Sequence, residues 1–204
     1  MERSVDRRAR RRAETRQRLV VAARAVFARQ GIEATRINQI TEEADLGFGS
    51  FYNYFPSKDA IVEAVLEQVV SNAGAEIERL TAEVTDPAEV VAVAHRSLVQ
   101  RAATDEEWGW LLVRLDLSHD VMLSALGGYA ARDLRRGVAE RRFRVPDQEV
   151  AVVAAGGALV GVMRAVLEGR ADGNAAEAHA AGVLQLFGMS PEKAAEVASR
   201  RQAG

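Results

Sequence analysis

Cysteine is absent from the 204-residue sequence, which excludes disulfide bonds, thiolate metal sites and thiol catalysis. The three histidines, His95, His119 and His179, show neither metal-ligand spacing nor a carboxylate partner pattern, so we predict them at the surface or at helix ends. Neither a phosphate-binding loop nor a G-x-S-x-G nucleophile motif occurs. The sequence therefore predicts a protein that is not an enzyme and needs no cofactor.

Long apolar runs are also absent. The longest extends over 14 residues from Val150 to Met163 and ends at Arg164, whereas a bilayer span needs about 20. The N-terminus is polar and rich in arginine, with no apolar signal segment. We therefore expect a buried helix of a globular protein here, no membrane partner, and a cytoplasmic protein associated with the nucleoid.

Charge is unevenly distributed, although the net charge is only −2. Residues 1–60 contain 12 Lys and Arg against 8 Asp and Glu, a net charge of +4, so the remaining 144 residues carry −6. A basic end joined to an acidic body predicts an N-terminal module that meets a polyanion.

Helical periodicity predominates, and no window alternates convincingly with the period of a strand, so the sequence predicts an all-α fold. Each of the four prolines, at positions 56, 87, 146 and 191, stands where a helix can begin. Gly31 and Asp45 are predicted at left-handed turns. The predicted helices are Ala13–Gln30, a Thr35-capped helix through Ala44, Phe48–Tyr54, Ser57 to about Leu80, Pro87–Ala103, Glu106–Leu117, His119–Arg142, Asp147–Gly169, Ala175–Phe187 and Glu192–Arg201.

Five of the 11 aromatic residues fall within eight positions, at the glycine-rich turn LGFGSFYNYFPSKDAI. Two short helices joined by a tight turn are typical of a helix-turn-helix, whose second helix enters the DNA major groove. Gly47 and Gly49 would let the backbone approach a phosphate or a base edge. Helical phase predicts Phe51 and Phe55 in a small core with Phe27, Ile40 and Leu46. The alternative is that all five rings are core.

The other three rings are candidates for DNA contacts. We predict that Tyr52 and Tyr54 offer hydroxyls to phosphates and that Phe48 touches a thymine methyl group or a sugar.

The segment TRINQITEEADLGFGSFYNYFPSKDAIVEAVL resembles the N-terminal signature of the TetR-type bacterial transcriptional regulators, over about residues 15–65. The matching positions are Thr35, Ile37, Ile40, Ala44, Leu46, Gly49, Ser50, Phe51, Tyr52, Phe55, Ser57 and Lys58. Asp45, Thr41 and Phe48 depart from the family pattern.

This resemblance implies an all-α homodimer whose two helix-turn-helix heads bind a palindromic operator. It also implies a C-terminal helical domain for effector binding and dimerisation, with an unidentified small apolar or amphipathic effector that releases the repressor. The residues to which it assigns DNA contacts are Thr35, Arg36, Ser50, Tyr52, Asn53, Tyr54 and Lys58. The expected division is a flexible basic arm (1–12), the DNA-binding domain (13–60) and the effector and dimerisation domain (61–204).

The first 18 residues contain eight arginines and three acids. We expect residues 1–12 to be disordered in the free protein, since they have little apolar surface to bury. Such an arm is either a solvated charge run or a DNA contact along the backbone or in a minor groove, through Arg10, Arg11 and Arg12.

Small residues cluster on the helix Asp147–Gly169. Ala154, Gly157 and Gly161 favour close approach of another helix, either within the chain or across a subunit interface. In the family that the chain resembles, the last two long helices form such an interface. The residues that the second helix is predicted to present are Ala178, Ala181, Val183, Leu184 and Phe187.

Both tryptophans lie in EEWGWLLVRLDLSHDVM, two residues apart, so they point in opposite directions on a helix. An apolar ligand pocket is predicted there, with ordinary core as the alternative. The predicted lining residues are Leu98, Trp108, Trp110, Arg114, Leu117, Met122, Leu126, Tyr129 and Met163. Arg114 is expected to pair with Asp116, Asp133 or a ligand carboxylate.

Overall fold

The computed structural model describes residues 2–114, 120–172 and 174–200, with side chains from residue 7 onward and not for residues 120–127. Its described residues form α-helices and one short 3-10 helix, and no strand occurs among them, as the all-α prediction requires. The elements are α1 (Glu2–Gln30), α2 (Ile37–Glu43), the 3-10 helix Phe48–Asn53, α3 (Lys58–Thr81), α4 (Pro87–Thr104), α5 (Glu106–Arg114), α6 (Asp120–Ala139), α7 (Gln148–Leu167), α8 (Ala175–Leu186) and α9 (Pro191–Ala198).

Capping residues explain where several helices begin. The Ser57 hydroxyl accepts the Ala60 N–H at 3.2 Å and starts α3. Asp86 caps α4 in the same way, with Pro87 in the first turn. The predicted turns are confirmed, since Gly31 and Asp45 have φ of 82° and 51°. The start of α2 differs from the prediction because its N-cap is Arg36, whose N–H is bound by the Gln39 side chain at 2.8 Å.

Helix α1 begins at Glu2, so residues 2–12 are helical where disorder was predicted, and their assignment to a separate flexible arm remains a prediction. Its 29 residues span about 43 Å at the rise of an α-helix. Six of residues 2–12 are arginine, which favours helix without needing a buried face. An ion pair between Arg10 and Glu14, one helical turn apart at 3.4 Å, adds to this. The arginines are therefore presented from a helix rather than from an extended tail.

Two hydrophobic clusters hold the helices together. The first joins α1, α2 and the 3-10 helix to α3, α5 and the middle of α7, with Phe27, Trp108 and Met163 among its members. The second joins α4, α6, α8 and α9 to the start of α7. Helix α3 runs without interruption from the N-terminal helices into the rest of the chain. It packs against α1 at one end and against α4 and α6 in the body.

Helix α7 is long and apolar enough to cross a membrane by length and composition only, which for a single helix is weak evidence of a span. Only 17% of its most apolar window is buried within the chain. The prediction of a buried helix is therefore wrong for the single chain. Val150 and Val153 remain 64% and 58% exposed, so this helix presents an apolar surface that needs a cover.

Two of the histidines meet inside the body, which the sequence spacing did not predict. His95 Nδ1 of α4 lies 3.0 Å from His179 Nε2 of α8, so one ring donates to the other. Burial, with the neighbouring His179, lowers the pKa of His95 to about 3. Burial also lowers the pKa of His179. The pair is thus a neutral link between two helices, and His119 lies outside the described residues.

Candidate nucleic-acid interface and ligand site

The aromatic cluster at the turn separates into buried and exposed rings. Phe51 and Phe55 are 0% and 2% exposed, which confirms that they belong to the core. Phe48 and Tyr52 are 54% and 53% exposed on the 3-10 helix Phe48–Asn53, hereafter the reading helix. Tyr54 lies between these groups, because its ring is half-buried against the core. The alternative that all five rings are core is therefore excluded.

Ring contacts fix the orientation of Tyr52. Its ring meets Phe51 edge-on at a centroid distance of 5.4 Å and Phe48 edge-on at 5.8 Å. Phe51 in turn packs against Phe55 at 5.8 Å, so the exposed Tyr52 ring is supported by two buried phenylalanine rings. Such an arrangement presents Tyr52 to a partner at small entropic cost.

The backbone at the start of the reading helix is open. A Cβ atom added to Gly47 or Gly49 would meet no atom within 4 Å, so the protein itself does not need glycine there for space. Both glycines, with the neighbouring Phe48 and Asn53, are exposed, and Ser50 is half-buried. The predicted close approach of a partner to this backbone remains a prediction.

Helix α1 contacts the reading helix through its arginines. Arg12 donates to the Asn53 carbonyl at 3.0 Å and stacks over the Tyr54 ring at 5.6 Å. Arg16 stacks over Phe55 at 4.9 Å. Arg10 and Arg11 are exposed on the same helix. Arginines of α1 therefore lie against the C-terminal end of the reading helix and the two residues that follow it.

Two predicted DNA contacts lie elsewhere than expected. Thr35 is 2% exposed and its hydroxyl donates to the Gly31 carbonyl at 2.6 Å, so its side chain is occupied within the chain, and its contact with DNA stays a prediction. Lys58 Nζ donates to the Glu33 carbonyl at 3.3 Å but is only half-buried. Arg36 is exposed, and its contact with DNA stays a prediction.

The predicted ligand residues do not line one pocket. Trp108 and Met163 are 1% and 0% exposed within the first hydrophobic cluster, and Leu98 packs with them. Trp110 is half-buried at the edge of this cluster. Tyr129 packs its ring against Gly74, where a Cβ would lie 2.9 Å from the ring. Leu117 lies outside the described residues, as do the side chains of Met122 and Leu126.

Arg114 joins the body to the N-terminal helices. Its guanidinium donates to the Ala28 carbonyl of α1 and stacks over Trp110 at 4.6 Å. The predicted pairing with Asp133 is wrong, because Asp133 pairs with Arg132. Asp116 lies outside the described residues. Since Arg24 of α1 also pairs with Glu107 of α5 at 3.0 Å, α5 holds α1 at two points.

A cavity of about 350 Å³ lies instead between α3 and α4. Leu98 is the one predicted ligand residue in its lining, which consists of Ala73, Glu76, Ile77, Ser97, Leu98 and Arg101. The sequence analysis missed the other five. Ser97 and Arg101 interrupt the apolar stripe of α4 beside Leu98, and these polar residues were a usable signal. A larger open cleft borders α1 near Arg18, whose guanidinium donates to the Ala44 carbonyl at 2.6 Å.

The predicted dimer residues divide between surface and interior. Ala154, Gly157 and Gly161 of α7 are exposed, as is Ala178 of α8, and Ala181 is half-buried. Val183, Leu184 and Phe187 are 2%, 0% and 2% exposed in the second hydrophobic cluster, so the prediction that α8 presents them to a partner is wrong. The exposed non-polar residues of α8 are instead Ala178, Gly182 and Leu186. In the described part of the chain, no cluster of His, Cys, Asp or Glu is suited to a metal ion.

Comparison with known families confirms the resemblance that the sequence motifs indicated. Residues 19–65 match the model of "Bacterial regulatory proteins, tetR family". Residues 86–200, more than half of the chain, match "Tetracyclin repressor-like, C-terminal domain". The two matches together cover both the helix-turn-helix and the body.

Individual relatives agree with these matches. The transcriptional regulator HbdR of Aromatoleum sp. is 37% identical over 76 residues, which are 37% of this chain and 33% of HbdR. The repressor KstR of Mycolicibacterium smegmatis is 37% identical over 69 residues, 34% of this chain and 30% of KstR. The aligned regions thus span about a third of these curated relatives. The solved structure of RolR in complex with resorcinol is 32% identical over 96% of this chain and 98% of RolR, with a TM-score of 0.76.

Proposed function

The chain belongs to the tetR family of bacterial regulatory proteins, and from this premise we propose that it is a ligand-responsive repressor. It is a DNA-binding transcriptional regulator and not an enzyme, as the sequence predicted. In this proposal a homodimer binds a palindromic operator in the cytoplasm, on the nucleoid, and a small effector releases it. The division into a DNA-binding domain (13–60) and an effector and dimerisation domain (61–204) is part of the proposal.

The exposed reading helix supports the DNA-binding part of the proposal most strongly. Phe48 and Tyr52 project from it while Phe51 anchors it, and α1 places Arg12 beside it. Aromatic and hydroxyl groups contact thymine methyls and phosphates, and arginine supplies the salt-dependent attraction to the backbone. The residues that we propose as DNA contacts are Arg10, Arg11, Arg12, Arg36, Gly47, Phe48, Gly49, Ser50, Tyr52, Asn53, Tyr54 and Lys58.

A second copy of the chain is the proposed cover for the apolar surface of α7 and α8. We name as the dimer face the exposed residues Val150, Val153, Ala154, Gly157, Gly161, Ala178, Gly182 and Leu186. The helices α7 and α8 pack against each other, and glycine and alanine let another pair of helices come close. An exposed apolar helix of this length is unfavourable in a monomer. Half-buried Ala181 would lie at the margin.

Sedimentation of the Gly157→Leu variant tests the dimer face. A Cβ at Gly157 meets nothing within 4 Å in the single chain, so the variant should fold normally and yet separate into monomers. Gly128→Leu is the matched control, since Gly128 is exposed on α6 with equally open surroundings. A Gly157→Leu variant that remains dimeric would contradict the proposed face.

Effector binding in the body would change the positions of the two reading helices of the dimer through two elements, α3 and α5. Helix α3 begins beside the DNA-binding domain and continues into the body, and α5 holds α1 through Arg114 and Glu107. Operator half-sites require reading helices about one DNA turn apart, roughly 34–36 Å. An effector that prefers one packing of the body would change this separation by an amount set by its affinity difference between the two states.

The relative RolR is described as binding resorcinol. On this basis we include small aromatic compounds in the proposed effector class. The cavity between α3 and α4, at about 350 Å³, has the size of a site for such a compound. It also borders α3, which is one of the two coupling elements.

Selection of DNA from a random library by the full-length protein tests the proposed function. The expected result is an inverted repeat with half-site centres about one helical turn apart. Binding to the selected DNA should weaken steeply with salt, since several arginines replace counterions. Enrichment of no sequence over the starting library would contradict the proposal.

A further inference from the structure

The cavity between α3 and α4 is lined in equal numbers by apolar residues, which form one wall, and by polar residues, which form its edge. Ala73, Ile77 and Leu98 supply the wall, and Glu76, Ser97 and Arg101 the polar groups. Ser97 Oγ already donates to the Ala94 carbonyl at 3.0 Å. Its volume of about 350 Å³ is at the lower end of the range for small-molecule sites. A compact ligand with few polar atoms fits this composition.

The Arg101 guanidinium at this edge has no hydrogen-bond acceptor in the part of the chain that the structure describes. It is half-buried and stacks over the Trp108 ring at 4.4 Å. Trp108 itself does not line the cavity, and its buried Nε1 is unpartnered among the described residues. A guanidinium at a cavity wall without an acceptor points to an acceptor supplied from outside.

The two charged residues of the cavity lining are Glu76 and Arg101. Glu76 is paired with Arg79, with Oε1 and Nη2 2.8 Å apart. The hydrogen bond from Arg79 lowers the pKa of Glu76, with a smaller contribution from the nearby Arg101, so the carboxylate is ionised. Because Arg79 forms the hydrogen-bonded ion pair with Glu76, the Arg101 guanidinium remains open to a ligand carboxylate.

We propose that the effector is a small monoanionic acid with a compact apolar body, whose carboxylate binds Arg101 in the cavity between α3 and α4. This inference rests on the proposed ligand response and specifies its chemical class. An arginine fork matches the two oxygens of a carboxylate. Arg101 stacks on Trp108 of α5, so a ligand bound to Arg101 would change the packing of α5. Helix α5 in turn contacts α1 through the hydrogen bond from Arg114 to the Ala28 carbonyl.

Calorimetric titration of the full-length protein tests this inference with three acids, benzoate, phenylacetate and octanoate, each compared with its neutral amide. We expect at least one acid to bind tenfold or more tightly than its amide. Arg101→Gln should remove this preference. The control Arg135→Gln, at an exposed arginine of α6, should retain it. Binding to the wild type should also change the fluorescence of the two tryptophans.

The outcomes separate this inference from the proposed function. If no acid is preferred over its amide, or if Arg101→Gln keeps the preference, the acidic class and its site are wrong. Release of selected DNA by the neutral resorcinol but by none of the acids would leave the ligand-responsive repressor intact and overturn this inference alone. Failure to select any DNA would instead count against the proposed function.

Discussion

Alanine substitutions at two adjacent residues of the reading helix should affect different properties, one the stability of the fold and the other the affinity for DNA. Phe51 is fully buried, and its ring is part of the cluster that joins α1, α2 and α3. Removing a buried phenylalanine costs about 3–5 kcal/mol through lost transfer free energy and the cavity left behind. Phe51→Ala should therefore lower the free energy of unfolding by about that amount.

Tyr52→Ala should leave the fold almost intact and weaken DNA binding. About half of the Tyr52 side chain is exposed, so its main internal contacts are the edges of the Phe48 and Phe51 rings. Each of the two ring pairs contributes about 0.5–1.5 kcal/mol, so the loss of stability should be smaller than that for Phe51→Ala. One groove or phosphate contact contributes about 1–3 kcal/mol to DNA binding, which corresponds to a rise in Kd of roughly 5- to 150-fold.

Two assays on the same pair of variants separate these effects. Urea denaturation followed by circular dichroism gives the stability, and fluorescence anisotropy with the selected DNA gives Kd at fixed salt. The argument predicts a large stability loss for Phe51→Ala alone and a loss of affinity without a large stability loss for Tyr52→Ala. Equal destabilisation by both changes would refute the assignment of Phe51 to the core and Tyr52 to the DNA.

Three further substitutions test the packing and electrostatics of the body. Gly137→Ala should destabilise the protein by about 3 kcal/mol in urea denaturation, since a Cβ would lie 2.0 Å from the Phe143 ring. Asp86→Asn should cost about 1–2 kcal/mol at neutral pH, and the cost should shrink in acid, because the hydrogen bond from Arg142 lowers the pKa of Asp86. His95→Gln should flatten the pH dependence of stability between about pH 6.5 and 4, measured by thermal unfolding.

The signs of the two pH effects follow from the direction of each pKa shift. Asp86 stabilises the fold above its unfolded pKa of about 3.9 and loses this contribution as pH falls through its lower folded value. His95, with a folded pKa of about 3, must stay neutral. Below its unfolded pKa of about 6.5, stability should therefore fall with decreasing pH by up to about 1.4 kcal/mol per unit. A wild-type curve flat over this range would contradict the His95 assignment.

A control accompanies the glycine substitution. Gly128→Ala, also on α6 but with open surroundings, should be neutral or stabilising by up to about 1 kcal/mol. Destabilisation by both changes would mean that α6 tolerates no alanine, rather than that Phe143 occupies the space at Gly137.

Local features of this fold could be predicted from the sequence because they depend on neighbouring residues. Proline and capping positions located the starts of α3, α4 and α9. Helical phase correctly predicted that Phe51 is buried and that the adjacent Tyr52 is exposed. The same reasoning misplaced the start of α2, because Thr35 binds back to the Gly31 carbonyl rather than capping forward.

Features that depend on distant contacts could not be predicted in this way. His95 and His179 are separated by 84 residues and meet only because α4 packs on α8. Arg114 was assigned to a ligand or an acid, and it binds a carbonyl of α1 instead. Leu184 was predicted at the surface of α8, but Leu184 is buried and Leu186 is exposed. The difference corresponds to an error of two residues in the predicted helical phase.

Photo-crosslinking from position 52 tests the central claim most directly. A photoreactive phenylalanine analogue replaces Tyr52 in the full-length protein bound to its selected DNA, and the same analogue at the exposed Arg135 of α6 is the control. We predict a crosslink from position 52 to a base or sugar within each half-site, and none to DNA from position 135. Absence of a DNA crosslink from position 52, with the complex intact, would show that the reading helix does not face the DNA.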